Sequence, residues 1–112
     1  MKFMLLLYDN PDARHLLTPE LMEDMGALMT ELTASGELVA TDAFAGTATT
    51  VKPQVGGAPV ITDGPYAEAK EVMGGFLILE CDAARANQIA ADWPAAALTA
   101  AIEVRPLMVH DG

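Results

Sequence analysis

The sequence is poor in cysteine and in positive charge, and each shortage excludes a class of protein. Cys81 is the only cysteine among 112 residues, so neither an intramolecular disulfide nor a zinc site built on cysteines is available. Six Lys and Arg stand against 16 Asp and Glu, which gives a formal net charge of −10. Because nucleic acids and anionic membranes are bound through Lys and Arg, we expect neither as a partner.

Long apolar runs are also absent from the sequence. A bilayer-spanning helix needs about 18 or more apolar residues, and no segment approaches that length. The N-terminal run at residues 1–8 reads MKFMLLLY, but it is short and leads into Asp9-Asn10-Pro11 with no cleavage site, so we do not interpret it as a signal peptide. Apolar residues make up 52% and charged residues 20%, which is typical of a folded chain. We therefore predict one cytoplasmic domain spanning residues 1–112.

The spacing of apolar residues predicts an α+β order of elements. Short apolar or alternating runs predict strands at 3–8, 37–45, 47–52, 58–62, 72–81 and 101–109. The two runs around residues 53–57 indicate a β-hairpin. Helices are predicted at 19–35, after the N-cap Thr18, and from Asp82 to about Trp93, where Pro94 ends the second one. Without the hairpin the order is βαββαβ, a ferredoxin-like unit with two helices on one face of a four-stranded antiparallel sheet.

The predicted sheet has a face that the helices do not cover. The strands at 3–8 and 76–79 are apolar on both faces, and the chain has no third element long enough to cover the second face. A second copy of the same sheet is the economical cover, because two-fold dimers are the commonest homo-oligomers. We therefore expect a homodimer.

One segment resembles a known family. Residues 62–71 read TDGPYAEAKE and are followed by Gly74-Gly75-Phe76. This resembles the signature of DGPF-type proteins of the YCII-related family, with Tyr66 where the family name has Phe. Weaker matches follow the family's order at residues 1–8, 48–51 and 102–106. The resemblance implies a ferredoxin-like fold and a dimeric α/β barrel, whose distant relatives include small isomerases and cofactor-free monooxygenases.

The resemblance implies less about activity. DGPF-type proteins are largely without an established reaction, and some are associated with extracytoplasmic-function sigma factors. A His–Asp pair is a proposed active site in part of the broader family. Family members often carry a His near the position of Trp93, so a mechanism based on that His does not transfer directly to this chain.

Asp63 is the first candidate for chemistry, because it follows a strand and precedes Gly64-Pro65. Its carboxylate fits a general base or a polar anchor at the mouth of a cleft. The alternative is a structural Asx-type turn that accepts from the backbone N–H of Tyr66 or Ala67.

Three neighbours in the same segment are candidate ligand-binding residues. Glu68 and Lys70 either assist Asp63 or form a solvated stretch of compensating charges. Tyr66 either orients a ligand or packs with its hydroxyl in water.

The last strand and the first strand supply further candidates. Glu103 and Arg105 are two residues apart and share a face. If Ile102 and Val104 face the helices, Arg105 points into the barrel, where it either binds an anion or forms a structural ion pair. Tyr8, at the end of the first strand, borders the same space.

His15 is the second catalytic candidate, with Asp9 or Asp63 beside it, because His is the commonest acid–base residue; an ordinary surface His is the alternative. The sequence has no HxH or HExxH spacing and no glycine-rich phosphate fingerprint, so we predict no metal and no cofactor.

Two functions remain. One is a small-molecule enzyme that uses Asp63, such as an isomerase, a lyase or a cofactor-free oxygenase. The other is a non-catalytic dimeric module that binds a metabolite or a protein such as a sigma factor.

Overall fold

The elements of the chain follow the predicted order. The computed structural model describes residues 1–46, 48–66 and 72–109. The strands are β1 Lys2–Asp9, β2 Leu38–Ala43, β3 Thr49–Lys52, β4 Val60–Asp63, β5 Val72–Glu80 and β6 Thr99–Pro106. The helices are α1 Pro19–Ala34 and α2 Ala83–Ala91. The segments 10–17 and 94–100, between the predicted elements, each contain a short 3₁₀ helix, at Pro11–Leu16 and Ala96–Leu98.

Both helices begin at the predicted N-caps. The hydroxyl of Thr18 accepts a hydrogen bond from the N–H of Leu21 at 3.2 Å, and the carboxylate of Asp82 accepts one from the N–H of Arg85 at 2.8 Å. Gly36 follows α1 with a φ of 79°, the left-handed conformation in which glycine ends many helices. Local sequence signals therefore fix where the helices start and where α1 stops.

Four strands form one antiparallel sheet in the order β2-β5-β1-β6. This order, with both helices connecting its strands, is the ferredoxin-like arrangement, and it confirms the predicted α+β fold class. β3 and β4 pair only with each other and form the inserted hairpin. We call this hairpin, residues 49–63, the arm.

The main core lies between the sheet and the helices. Its members include Phe3, Leu5, Leu32, Leu77, Leu79, Ala86, Ile89 and Trp93. Full burial of each leucine stabilises the fold by about 1.5–3 kcal/mol relative to exposure. Trp93 belongs to this core with 6% of its surface exposed, so a packing residue stands near the position at which the family often has a His.

The molecule is flat, with principal extents of 48 × 44 × 18 Å. Its radius of gyration is 16.4 Å, whereas a compact chain of this length has about 13 Å. The arm, which joins no strand of the main sheet, accounts for this shape. Within the described ranges, no helix is long and apolar enough to cross a bilayer.

Candidate functional site

The sheet has a second face, opposite the helices, which we call the open face. Because side chains alternate along a strand, burial of Phe3 and Leu5 under the helices directs Met4, Leu6 and Tyr8 to the open face. The register on either side of β1 adds the side chains of its neighbours. The open face thereby includes Met4, Leu6, Tyr8, Ala40, Asp42, Phe76, Ile78, Glu103 and Arg105.

Three polar residues of the open face are joined by hydrogen bonds. The hydroxyl of Tyr8 donates to Oε2 of Glu103 at 3.3 Å, and Nε of Arg105 donates to Oε1 of the same carboxylate. Glu103 therefore links a phenol and a guanidinium, and we call these three residues the polar cluster. Their common face agrees with the prediction from strand periodicity, because Ile102 and Val104 pack toward the core.

The polar cluster is open to a ligand. The Arg105 side chain is 66% exposed and that of Glu103 is 37% exposed. The ion pair engages Nε of Arg105 and leaves most of the guanidinium facing solvent. A guanidinium binds carboxylate or phenolate oxygens, and a carboxylate accepts a hydrogen bond from a hydroxyl, so the cluster suits an oxygen-rich ligand.

An apolar floor lies beside the polar cluster. Leu6 stands between Glu103 on one side and Phe76 on the other in the sheet register. The Phe44 ring, just beyond β2, lies with its centroid 6.1 Å from that of Phe76, tilted by 38°. This centroid distance is within the range of aromatic pairs, and the two rings add apolar surface next to Leu6.

Asp63 lies at the base of the arm, as the last residue of β4, and is exposed. The chain enters the arm after Ala43, which is in register with Gly75, and Gly75 is in register with Leu7. The arm is therefore attached at the end of the sheet where Tyr8 lies. Asp63 belongs to this arm, whereas the polar cluster lies on the main sheet, where Tyr8 is near the arm's end of β1 and Arg105 pairs with Met4 toward the other end.

The turn after Asp63 is hydrogen-bonded to the start of the arm's first strand and the residue before it. The N–H of Gly64 donates to the carbonyl of Ala48 at 2.7 Å, and the hydroxyl of Thr50 donates to the carbonyl of Gly64 at 2.8 Å. The Tyr66 ring lies 5.6 Å from Nζ of Lys52, a cation–π distance. Glu68 and Lys70 lie outside the described residues, so their assignments stay predictions.

His15 lies in the last turn of the first 3₁₀ helix and is exposed. That helix directly follows β1, so His15 comes shortly after the end of β1 at which Tyr8 lies. Among the described residues, no group of three or more His, Cys, Asp and Glu is placed to hold a metal.

Asp9 is a further carboxylate at this end of the sheet, and sequence reasoning considered it only as a partner for His15. Tyr8 pairs with Met73 and Leu7 with Gly75, so Gly74 is the extra residue of a β-bulge. A Cβ at Gly74 would collide with the Asp9 carboxylate. The bulge and the Asp9 carboxylate together explain why a glycine stands at position 74.

Another ion pair, between Arg85 and Glu37, lies on the helix side of the sheet and shifts the pKa values of both partners. Arg85 donates from Nε to Oε2 of Glu37 at 2.8 Å and from Nη2 to Oε1 at 3.2 Å. These bonds, together with one from the Ser35 hydroxyl, hold the pKa of Glu37 below its usual value. Burial, with smaller effects from Glu37 and Asp82, raises the pKa of the Cys81 thiol, which lowers its reactivity.

A shallow groove of about 300 Å³ lies between α2 and β6, away from the open face. Its lining includes Ala90, Trp93, Ala96, Thr99 and Ile102. None of the groove's lining residues is titratable, so the groove offers no acid, base or anchor. The convergent polar groups lie on the open face, which is the better candidate site.

Comparison with known proteins adds three findings. The model of the YCII-related domain matches residues 1–110. The fold is similar to that of 5-chloro-2-hydroxyhydroquinone dehydrochlorinase (TftG) from Burkholderia phenoliruptrix, solved in complex with 2,5-dihydroxybenzoquinone, with a TM-score of 0.60 and 21% identity over 96% of this chain and 94% of that chain. Among curated proteins, none matches this chain by sequence. At 21% identity the structural likeness bears on the fold alone.

Proposed function

The chain belongs to the YCII-related domain family, and we propose that it binds a small, oxygen-rich molecule on the open face, where the polar cluster recognises it. The observation that carries this proposal is the hydrogen-bonded series of Tyr8, Glu103 and Arg105 beside an apolar floor. An exposed ion pair contributes only about 0–1 kcal/mol to stability, so fold stability alone gives little reason for this arrangement.

The chemistry of the cluster defines a ligand class. The Arg105 guanidinium suits a carboxylate or phenolate, and the Glu103 carboxylate suits a hydroxyl donor. Leu6 and Phe76 suit the flat face of a ring. The ligand class is therefore a small ring acid or phenol, and the molecule bound by the structural neighbour, 2,5-dihydroxybenzoquinone, is a suitable first probe.

Asp63 is the proposed general base. It is an exposed carboxylate at the base of the arm, which is attached at the end of the sheet where Tyr8 lies. His15 is the second candidate for proton transfer at this end. The reaction class is proton abstraction followed by isomerisation or elimination, carried out by a cytoplasmic homodimer whose second copy covers the open face.

The test is binding of 2,5-dihydroxybenzoquinone and a panel of hydroxylated ring acids, measured by calorimetry. Arg105→Ala is expected to weaken binding at least about 10-fold, because a charge-assisted hydrogen bond contributes about 1.5–3 kcal/mol. Arg14→Ala removes the same charge from an exposed site outside the sheet and serves as the control. Equal affinity in both variants would exclude the polar cluster as the recognition element.

Asp63→Asn separates binding from catalysis. If Asp63 is the base, this variant retains binding of the ligand that the wild-type protein converts, and it loses turnover by at least about 100-fold. If Asp63→Asn and Arg105→Ala leave every binding and turnover measurement unchanged, the non-catalytic module, including one linked to a sigma factor, becomes the better description.

A further inference from the structure

One row of residues crosses the open face from edge to edge of the sheet. Asp42 on β2 is in register with Phe76 on β5. Phe76 is in register with Leu6 on β1, and Leu6 is in register with Glu103 on β6. Because β2 and β6 are the two edge strands, the row has a carboxylate at each end and apolar side chains between them. We call these four residues the transverse row.

The Asp42 side chain lies on the open face, beside the apolar floor. Its neighbour Thr41 is in register with Leu77, which is buried on the helix side, so alternation along β2 directs Asp42 to the opposite side. Phe44, two residues further on, shares this face, and its ring lies 6.1 Å from the ring of Phe76. The register and the aromatic contact therefore agree on where Asp42 stands.

The two ends of the transverse row differ in charge. At one end, the Glu103 carboxylate is paired with Arg105. At the other end, Oδ1 of Asp42 accepts a hydrogen bond from the N–H of Ala43 at 3.0 Å. Among the residues that the structure describes, no cationic side chain pairs with Asp42 and its Oδ2 accepts no hydrogen bond. The exposed end at β2 is thus an anion in need of a donor.

We propose that Asp42 is a specificity residue of the candidate site, and that the ligand is a ring acid with an amine at the end opposite its acid group. This deepens the proposed function, on which it rests, by naming the ligand's second polar group. The Arg105 guanidinium binds the acid, the apolar floor contacts the ring, and the Asp42 carboxylate accepts from the ammonium. Two carboxylates and one guanidinium leave these residues net negative, which favours an ammonium over a second acid group.

The spacing of the strands sets the length of this ligand. β2 and β6 are three strand intervals apart, and at about 4.8 Å for each interval their backbones are roughly 14 Å apart. Side chains stand nearly perpendicular to a sheet, so the polar groups of the two edges keep a similar separation. A hydrogen bond of about 2.8 Å at each end leaves about 9 Å between the polar end atoms of the ligand. A single ring with short para substituents suits this length.

The test compares two ring acids that differ only in the amine, para-(aminoethyl)benzoate and para-ethylbenzoate, by calorimetry. In Asp42→Asn, the ratio of their affinities is expected to shift about fivefold against the amine, the upper range for an exposed ion pair. Affinity for para-ethylbenzoate is expected to stay unchanged, which also shows that the variant is folded. Asp24→Asn removes the same charge from an exposed position on α1, and it is expected to keep the wild-type ratio.

A third compound tests whether the ligand spans the row. In ortho-(aminomethyl)benzoate the amine lies beside the carboxylate, so it does not reach Asp42 while the acid is bound at Arg105. We expect Asp42→Asn to change its affinity by less than about 1.5-fold, because separated exposed charges are screened by salt. A fivefold loss for this compound would overturn the placement of the ligand across the row.

The outcomes separate this inference from the proposed function. If Asp42→Asn keeps the wild-type affinity ratio while Arg105→Ala weakens binding of para-ethylbenzoate, Asp42 is not a specificity residue and the polar cluster stands. If Arg105→Ala has no effect and the ratio still shifts in Asp42→Asn, the amine contact stands and the polar cluster fails. A wild-type chain that binds neither para compound would overturn both.

Discussion

The hydroxyl of Tyr8 on β1 donates a hydrogen bond diagonally to Oε2 of Glu103 on the neighbouring strand β6, at 3.3 Å. In the register of β1 and β6, Tyr8 stands opposite Ala101, and Glu103 stands opposite Leu6. A slip of one residue would move Glu103 and Arg105 to the helix side of the sheet. The register that builds the core therefore also builds the polar cluster.

Replacing Glu103 should affect ligand binding far more than stability. Glu103→Gln is expected to lower the free energy of unfolding by less than about 1 kcal/mol, because the ion pair with Arg105 is largely exposed. Probe affinity is expected to fall about 10-fold, since the carboxylate acceptor is lost. Urea denaturation and calorimetry measure the two effects.

Glu80→Gln is the matched control for this variant. Glu80 is an exposed glutamate whose carboxylate lies 3.5 Å from the N-terminal amino group, outside the polar cluster. Similar losses of affinity in the two variants would mean that net charge, and not the cluster, governs binding.

Stability should depend on pH through Glu37. Arg85 holds the pKa of the folded Glu37 carboxyl below its value in the unfolded chain, so the ionised form stabilises the fold. This contribution is complete above the unfolded pKa and is lost as the pH falls through the folded pKa. Glu37→Gln should therefore be less stable than the wild type near neutral pH, and the difference should shrink as the solution is acidified.

Urea midpoints measured from neutral to acid pH check this dependence on Glu37. Glu23→Gln, at an exposed position on α1, provides the comparison. A Glu37→Gln deficit that is constant across the acid range would contradict the role of Arg85.

Gly74 and Asp9 should be energetically coupled. Gly74→Ala places a Cβ against the Asp9 carboxylate and should destabilise the protein. In an Asp9→Ala background the obstacle is gone, so the same change should cost about 1 kcal/mol less. Gly75→Ala is the control, because its Cβ would stand 2.6 Å from the backbone oxygen of Asp42, which Asp9→Ala does not remove. If Gly74→Ala lowers the free energy of unfolding equally in the two backgrounds, the Asp9 carboxylate is not the reason for a glycine at position 74.

The α1 helix should be stabilised mainly by its buried side chain, that of Leu32. Leu32 is fully buried, so Leu32→Ala should cost about 2–5 kcal/mol of unfolding free energy. Met22, on the same helix, is 63% exposed, and Met22→Ala should change stability by less than about 0.5 kcal/mol. Chemical denaturation of the two variants compares them directly, and similar costs would contradict the packing of α1.

Most features of the fold that the sequence predicts depend on contacts between residues close together in the chain. Thr18 and Asp82 cap their helices through contacts three residues away, so both starts are visible in the sequence. The last strand was predicted at 101–109, and the end of this prediction was wrong. The strand ends at Pro106, and it begins at Thr99, which pairs with Asp9.

Long-range contacts explain what the sequence could not predict. Glu37 and Arg85 are 48 residues apart, and no local pattern identifies them as a bidentate pair. Glu103 and Arg105 were predictable as neighbours because strand periodicity alone puts them on one face. The relation of Asp63 to them was not, since it depends on how the arm is attached to the sheet.

Trp93 is the only tryptophan of the chain, and it lies in the core on the helix side of the sheet. Its indole fluorescence therefore reports on the packing of α2 against the sheet, and the emission should shift to longer wavelength when the chain unfolds. Because the sheet separates Trp93 from the open face, ligands and second copies that bind there should leave the emission maximum in place. The protein thus carries a built-in optical probe of folding that is independent of what occupies its candidate site.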